Sequence, residues 1–167
     1  KYVLLMMVSI IVGYIAGRLI ETFYDKRYSK YILAAAILIH LGCFVYFKYT
    51  DFILKNMNRW IGTEFSMLKI ALPIGISFYT FQICSYLFDV YRKKIPVERS
   101  VLKLGAYLCM FPQLIAGPII TYSQIRDELS ERKHSFLGWE NGIREFTIGL
   151  ALKVLIANRL GGLWNQV

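Results

Sequence analysis

Two histidines, three cysteines and a few polar side chains set inside apolar runs are the residues of this sequence best placed to do chemistry. His40 lies in the middle of the charge-free run Tyr31–Phe47. An ionisable residue at membrane depth is a functional candidate. A neutral core imidazole with one hydrogen-bond partner is the competing reading. His134 follows Arg132 and Lys133 and reads as a solvated loop residue. No pair of acids flanks either histidine. Cys43, Cys84 and Cys109 each fall in an apolar run. Their odd number and wide spacing fit free buried thiols, not a disulfide frame or a zinc site, so no metal site is expected. No phosphate-binding loop, dinucleotide fingerprint, serine elbow or paired-histidine zinc motif is present. These residues alone name no reaction.

Gln82 and Gln113 stand inside apolar runs, where each either lines a pocket or bonds across helices. Asp89 ends the third run beside Tyr91 and Arg92, as a structural ion pair or a substrate contact. Pro112 and Pro118 bracket Gly117. Proline removes a backbone donor and clashes with the preceding turn. A kinked helix or a re-entrant segment is therefore expected near 111–120. Such backbone is tolerated in a membrane only against protein or a cavity. The break either shapes a cavity wall or serves packing alone.

The elements that hold these residues follow from hydropathy. Tyr2–Gly17, Tyr31–Phe47, Ile70–Phe88 and Leu104–Ile125 contain no Asp, Glu, Lys or Arg. A bilayer crossing needs about 20 apolar residues, and these runs reach that length once their flanks snorkel. Hydrophobic residues make up 56% of the 167-residue chain, charged ones 19%. A chain this small cannot bury so much apolar surface in water. Lipid requires internally satisfied backbones, and no alternating strand pattern is present. The fold class expected is all-α, a polytopic transmembrane helical protein forming a single membrane domain over 1–167. Helices are predicted at about 2–20, 31–47, 70–90, 101–120 and 141–160. Residues 53, 57, 60 and 61 share a face, which predicts a separate interfacial helix at about 51–61, anchored by Trp60. Ser135 or Asn141 would cap the last helix, and Gly161–Gly162 would end it. Glu145, Gly149 and Lys153 fall along one face of it. The start at Lys1 without a Met and the stop at Val167 are those expected of a fragment.

The net charge is +9. Segments 21–30 and 91–103 carry Lys26, Arg27, Lys30, Arg92, Lys93, Lys94, Arg99 and Lys103, which places both in the cytoplasm. Anionic lipid beside such loops accounts for the charge; nucleic acid is not an expected partner.

Two strings are more specific than composition. One is Leu72-Pro-Ile-Gly-Ile-Ser-Phe-Tyr-Thr-Phe-Gln82, continuing through Ser85-Tyr86 to Asp89-Val-Tyr-Arg92. The other is Phe111-Pro-Gln-Leu-Ile-Ala-Gly-Pro-Ile119. Together with Phe47-Lys-Tyr-Thr-Asp-Phe52, Gly142-Ile-Arg and Gly149-Leu-Ala-Leu-Lys-Val-Leu-Ile-Ala-Asn158, they resemble the membrane-bound O-acyltransferase family, especially its alginate O-acetyltransferase-like branch. The resemblance covers roughly residues 44–162. It implies a multi-pass enzyme of the inner (cytoplasmic) membrane with a central tunnel. Such an enzyme moves an acyl group, often acetyl, from a cytoplasmic thioester donor (acetyl-CoA or an acyl carrier) to a hydroxyl of an exported or cell-surface polysaccharide. An export-side transferase partner protein completes the transfer, and no bound cofactor is implied. A related branch transfers D-alanyl groups to teichoic acid. The essential histidine of the family lies further toward the C-terminus, so neither His40 nor His134 takes that role and no catalytic residue is assigned here. The chain then reads as the N-terminal part of the enzyme. Pro112, Gln113, Gly117 and Pro118, with Tyr79, Gln82 and Asp89 nearby, are the expected tunnel-wall residues. A transporter fragment and a non-catalytic membrane scaffold are the readings from other classes.

Overall fold

The structure, a computed structural model, describes residues 2–24, 26–62, 64–110, 120–130 and 135–164. Every regular element among them is helical. They form two compact units, 1–129 and 130–167.

Helix α1 runs from Tyr2 to Thr22. Its 21 residues rise about 31 Å, close to the roughly 30 Å of a hydrocarbon core. Gly13, Ala16, Gly17 and Ile20 form its buried stripe at helical spacing. Val3, Leu4, Met7, Val8, Ile11, Ile15 and Leu19 point outward and exposed. A water-soluble core helix would bury such residues, so this face belongs in lipid. Small residues let α3 approach closely. A Cβ on Gly17 would stand 3.1 Å from the Tyr86 hydroxyl and 3.2 Å from Val97.

Helix α2 spans Tyr28–Ile61. Here the structure differs from the sequence expectation, which split this stretch into 31–47 and an interfacial helix at 51–61. The link Phe47–Phe52 holds no Gly or Pro, and the Thr50 hydroxyl donates back to the Tyr46 carbonyl. Nothing stops the helix until Gly62, whose φ of +73° and N–H to the Asn58 carbonyl make a left-handed cap. The 34 residues extend about 51 Å. Tyr2 meets Phe47 edge to face, with ring centroids 6.4 Å apart, so Tyr2 stands level with Phe47 and α2 continues past that level. The returning chain is tied to this outer half. Asn58 bonds both backbone groups of Phe65, and Asp51 Oδ1 accepts from the Leu68 N–H at 2.9 Å.

Helix α3 covers Ile76–Tyr91, later than the expected start near 70. Pro73 restrains the residue before it from helical angles, and Gly75 takes φ +76°. α3 lies against both α1 and α2: Phe44 and Phe81 stack at 5.7 Å, and Ile83 fills the notch at Gly13. Ile83, Tyr86, Leu87 and Val90 are fully buried.

Helix α4, Val101–Cys109, is capped by Ser100, whose hydroxyl accepts from the Lys103 N–H. A helix over 101–120 was expected. The described helix ends at Cys109 and Met110 is extended, two residues ahead of Pro112. Residues 111–119 lie outside the described residues. Helix α5 is Tyr122–Ser130.

The second unit holds α6 (Phe136–Ala151), a π-helical stretch (Leu152–Ala157) and α7 (Asn158–Trp164), continuous in sequence. Ser135, not Asn141, is the cap: its hydroxyl accepts from the Gly138 N–H at 3.0 Å. Gly161 and Gly162 do not end the helix, which runs on to Trp164. The Asn158 N–H reaches back five residues to the Lys153 carbonyl, the signature of a wide turn.

Both basic segments of the first unit meet at one end. The Tyr24 hydroxyl donates to the Val90 carbonyl at 2.9 Å, and the Lys93 ammonium lies 5.0 Å from the Tyr24 ring centre. Burial first, and the Glu21 carboxylate second, raise the Tyr24 phenol above its ordinary value of 10.0. A raised phenol keeps its proton longer in the folded state. This link is therefore intact below pH about 10 and is lost as the pH climbs through the higher folded value. In an alkaline absorbance titration, Tyr24→Phe is expected to remove a tyrosine that ionises late. Loss of an ordinary or early-ionising one would contradict it.

Candidate functional site

The sequence-expected wall residues divide into two groups. Pro112, Gln113, Gly117 and Pro118 lie outside the described residues, as does His134. Tyr79, Gln82 and Asp89 are all on α3, and with Tyr86 they follow a 3-4-3 spacing that puts them on one helix face. This face is buried. Tyr79 is 3% exposed and Gln82 2%. The Tyr79 hydroxyl is buried with the Ser9 and Cys43 side chains beside it. Asp89 ends the stripe at the basic end of the bundle. Its Oδ1 is 3.6 Å from the Lys94 ammonium, while its Oδ2 is buried without a partner among the described residues. Burying polar groups this way is costly unless they are used or paired.

The stripe runs into a cluster that sequence reasoning missed. Tyr86, Tyr107 and Tyr122 are fully buried, and Tyr122 meets both other rings edge to face with centroids 5.2 Å apart. Glu98 joins them. One of its carboxylate oxygens accepts from the Tyr122 hydroxyl, the other from the Ser100 N–H at 2.8 Å. Its own N–H donates to the Tyr86 hydroxyl at 3.0 Å. The Tyr107 hydroxyl donates to the Ile120 carbonyl at 2.8 Å. The chain on both sides of 111–119 is thereby fastened to the bundle. Local signals were present: Ile95 and Val97 are apolar residues in a basic loop, and Glu98 stands two residues before the Ser100 cap.

His40 is also in the core, at 3% exposure. Its Nδ1 lies 2.7 Å from the Ala36 carbonyl and its Nε2 3.2 Å from the Ser9 carbonyl. Both neighbours are acceptors, and His40 clips α2 to α1. The three cysteines are free thiols. No group of metal-ligating side chains is found among the described residues.

Each unit carries a surface hollow. One is on the outer half of α2, lined by Phe52, Ile53, Asn56, Met57, Trp60 and Ile61. Another is on α6, lined by Ser135, Phe136, Trp139, Glu140 and Ile143.

Comparison with known proteins gives the family. No family model and no solved structure matches the chain. It is 36% identical over 141 residues to the probable alginate O-acetylase AlgI of Pseudomonas aeruginosa, covering 82% of this chain and 27% of that protein. With the AlgI of Azotobacter vinelandii the identity is 37% over 132 residues, covering 77% and 26%. With the peptidoglycan O-acetyltransferase of Helicobacter pylori it is 29% over 185 aligned positions, covering 95% and 35%. The chain thus spans about a quarter to a third of the length of these relatives. Two apolar helices long enough to cross a bilayer, with apolar outer faces, together with these relatives place the chain in a membrane. Long shared stretches with several O-acetylases add the rest: this chain belongs to the membrane-bound O-acyltransferase family, in its alginate O-acetylase-like branch.

Proposed function

We propose that this chain is part of a multi-pass inner-membrane enzyme that transfers an acetyl group to a hydroxyl of an exported or cell-surface polysaccharide. The similarity to O-acetylases named for alginate and for peptidoglycan, two different glycans, carries this reading. In the transfer, the hydroxyl oxygen attacks the carbonyl of a thioester donor, acetyl-CoA or an acyl carrier. The C–S bond breaks, a thiol leaves and the hydroxyl proton passes to a base. A partner protein on the export side then takes the acetyl group or the polymer onward. This chain does not supply the base. It supplies wall: a buried polar stripe on α3 from Tyr79 through Gln82 to Asp89, and, in this reading, Pro112, Gln113, Gly117 and Pro118 as further wall residues. Such a wall acts by holding the reacting groups in line and excluding water, where a displacement of about 1 Å costs on the order of a hundredfold in rate.

The test is the acetyl content of the polymer made by cells carrying variants of the whole enzyme. Asp89→Asn, Gln82→Ala, Gln113→Ala and Gly117→Leu are each expected to lower acetylation roughly tenfold or more at equal protein level. Unchanged acetylation in all four would refute the wall. Unchanged acetylation after deletion of the gene would refute the activity itself.

A further inference from the structure

We propose that the basic end of the helical bundle is a docking surface for anionic phospholipid headgroups, formed jointly by the turn after α1 and the loop after α3. Residues 18–30 and 89–99 hold eight Lys and Arg against four Asp and Glu. These stretches lie some 70 residues apart in sequence. The Tyr24–Val90 hydrogen bond and the Lys93–Tyr24 contact bring them together. Lys26, Arg27, Lys30, Arg92, Lys93, Lys94 and Arg99 are all exposed there.

Three observations select lipid as the partner. First, the cations are continuous with apolar surface: Ile15 and Leu19 on α1, and Tyr28 and Tyr31 at the start of α2, are 41–67% exposed. Lys26 and Lys30 therefore sit where a hydrocarbon face ends, the level of a phosphate group. Second, Tyr28 and Tyr31 are the amphipathic rings an interface favours. Third, Lys93 occupies a left-handed position, φ +57°, just past the end of α3, where glycine would sit without strain. A lysine there sets its ammonium over the Tyr24 ring, between the two loops. Juxtamembrane cations of this kind attract anionic lipid additively and lose their hold in salt. The opposite end of the bundle offers a control. Lys55 and Arg59 lie on the outer half of α2, beyond the level of Tyr2 and Phe47.

The protein is reconstituted in nanodiscs of equal parts phosphatidylglycerol and phosphatidylcholine, and the lipid it retains is counted by native mass spectrometry. The wild type is expected to keep phosphatidylglycerol in several-fold excess. Lys26→Gln/Lys30→Gln/Arg92→Gln is expected to bring that excess to parity, with an unchanged melting temperature in pure phosphatidylcholine. Lys55→Gln/Arg59→Gln is expected to leave it intact. If the triple variant fails to fold, raising salt to about 1 M on the wild type must abolish the excess by the same screening. Parity in the wild type, or an excess indifferent to both the triple substitution and salt, overturns the proposal. An excess abolished by millimolar inorganic phosphate at constant ionic strength also overturns it, because the site would then take a free anion and not a lipid.

Discussion

Gly13→Leu is expected to cost about 3 kcal/mol or more of stability and to part α1 from α3. A Cβ on Gly13 would stand 2.3 Å from Ile83 Cδ1 and 2.5 Å from Cγ1, with His40 Nε2 at 3.9 Å. Ile83 can swing its tip away from a single methyl group, so Gly13→Ala is the milder change. Leucine adds three further carbons at the junction of three helices. Ile83 is fully buried, and a swing of its tip does not clear them. The displaced α1 also withdraws the Ser9 carbonyl from His40. Gly42→Leu is the control, because a Cβ there meets nothing within 4 Å. Thermal unfolding in detergent separates them: Gly13→Leu should melt well below the wild type and Gly42→Leu close to it. Equal melting of all three would mean that α1 and α3 do not interlock here.

Glu98→Ala is expected to cost about 2–3 kcal/mol, the second largest effect. It leaves the buried Tyr122 hydroxyl and the Ser100 N–H without their acceptor. Removing one partner of a buried hydrogen bond exposes the full desolvation cost of the other. Glu98→Gln keeps an acceptor and is expected to lose less than half as much. Tyr122→Phe removes the donor together with its need, and the double variant Glu98→Ala/Tyr122→Phe should be less destabilised than the sum of the singles. Melting temperatures of the four proteins close that cycle. Strict additivity would show that the two side chains are not coupled.

Much of the helical layout was legible because it follows from runs without charge. Tyr2–Gly17 has no partner for its apolar residues except lipid and a neighbouring helix, and α1 forms there. The departures come from signals that act over longer range or through the backbone. Trp60 and its apolar face suggested a separate helix, yet the absence of any Gly or Pro over 48–61 let α2 continue. The late start of α3 is written in Pro73 and Gly75, which composition alone does not weigh. For the candidate site, the 3-4-3 spacing of Tyr79, Gln82, Tyr86 and Asp89 is visible in the sequence and lies on one face in the structure. The pairing of Glu98 with Tyr122, 24 residues away, is not. No local pattern says which buried tyrosine will meet a lone acid in a basic loop.

The outer half of α2 has a consequence for how this family can vary in length. Beyond Phe47 the helix runs on for fourteen residues, about 21 Å, with the returning chain latched to it at Asn58 and Asp51. One inserted or deleted residue would turn everything past it by about 100° and move it 1.5 Å. Asn58 would then face away from Phe65. Length changes in this stretch are therefore tolerable only in steps that restore the angle, three or four residues or seven at a time. This outer half behaves as a part with a phase, and natural gaps in alignments across it should come in whole turns.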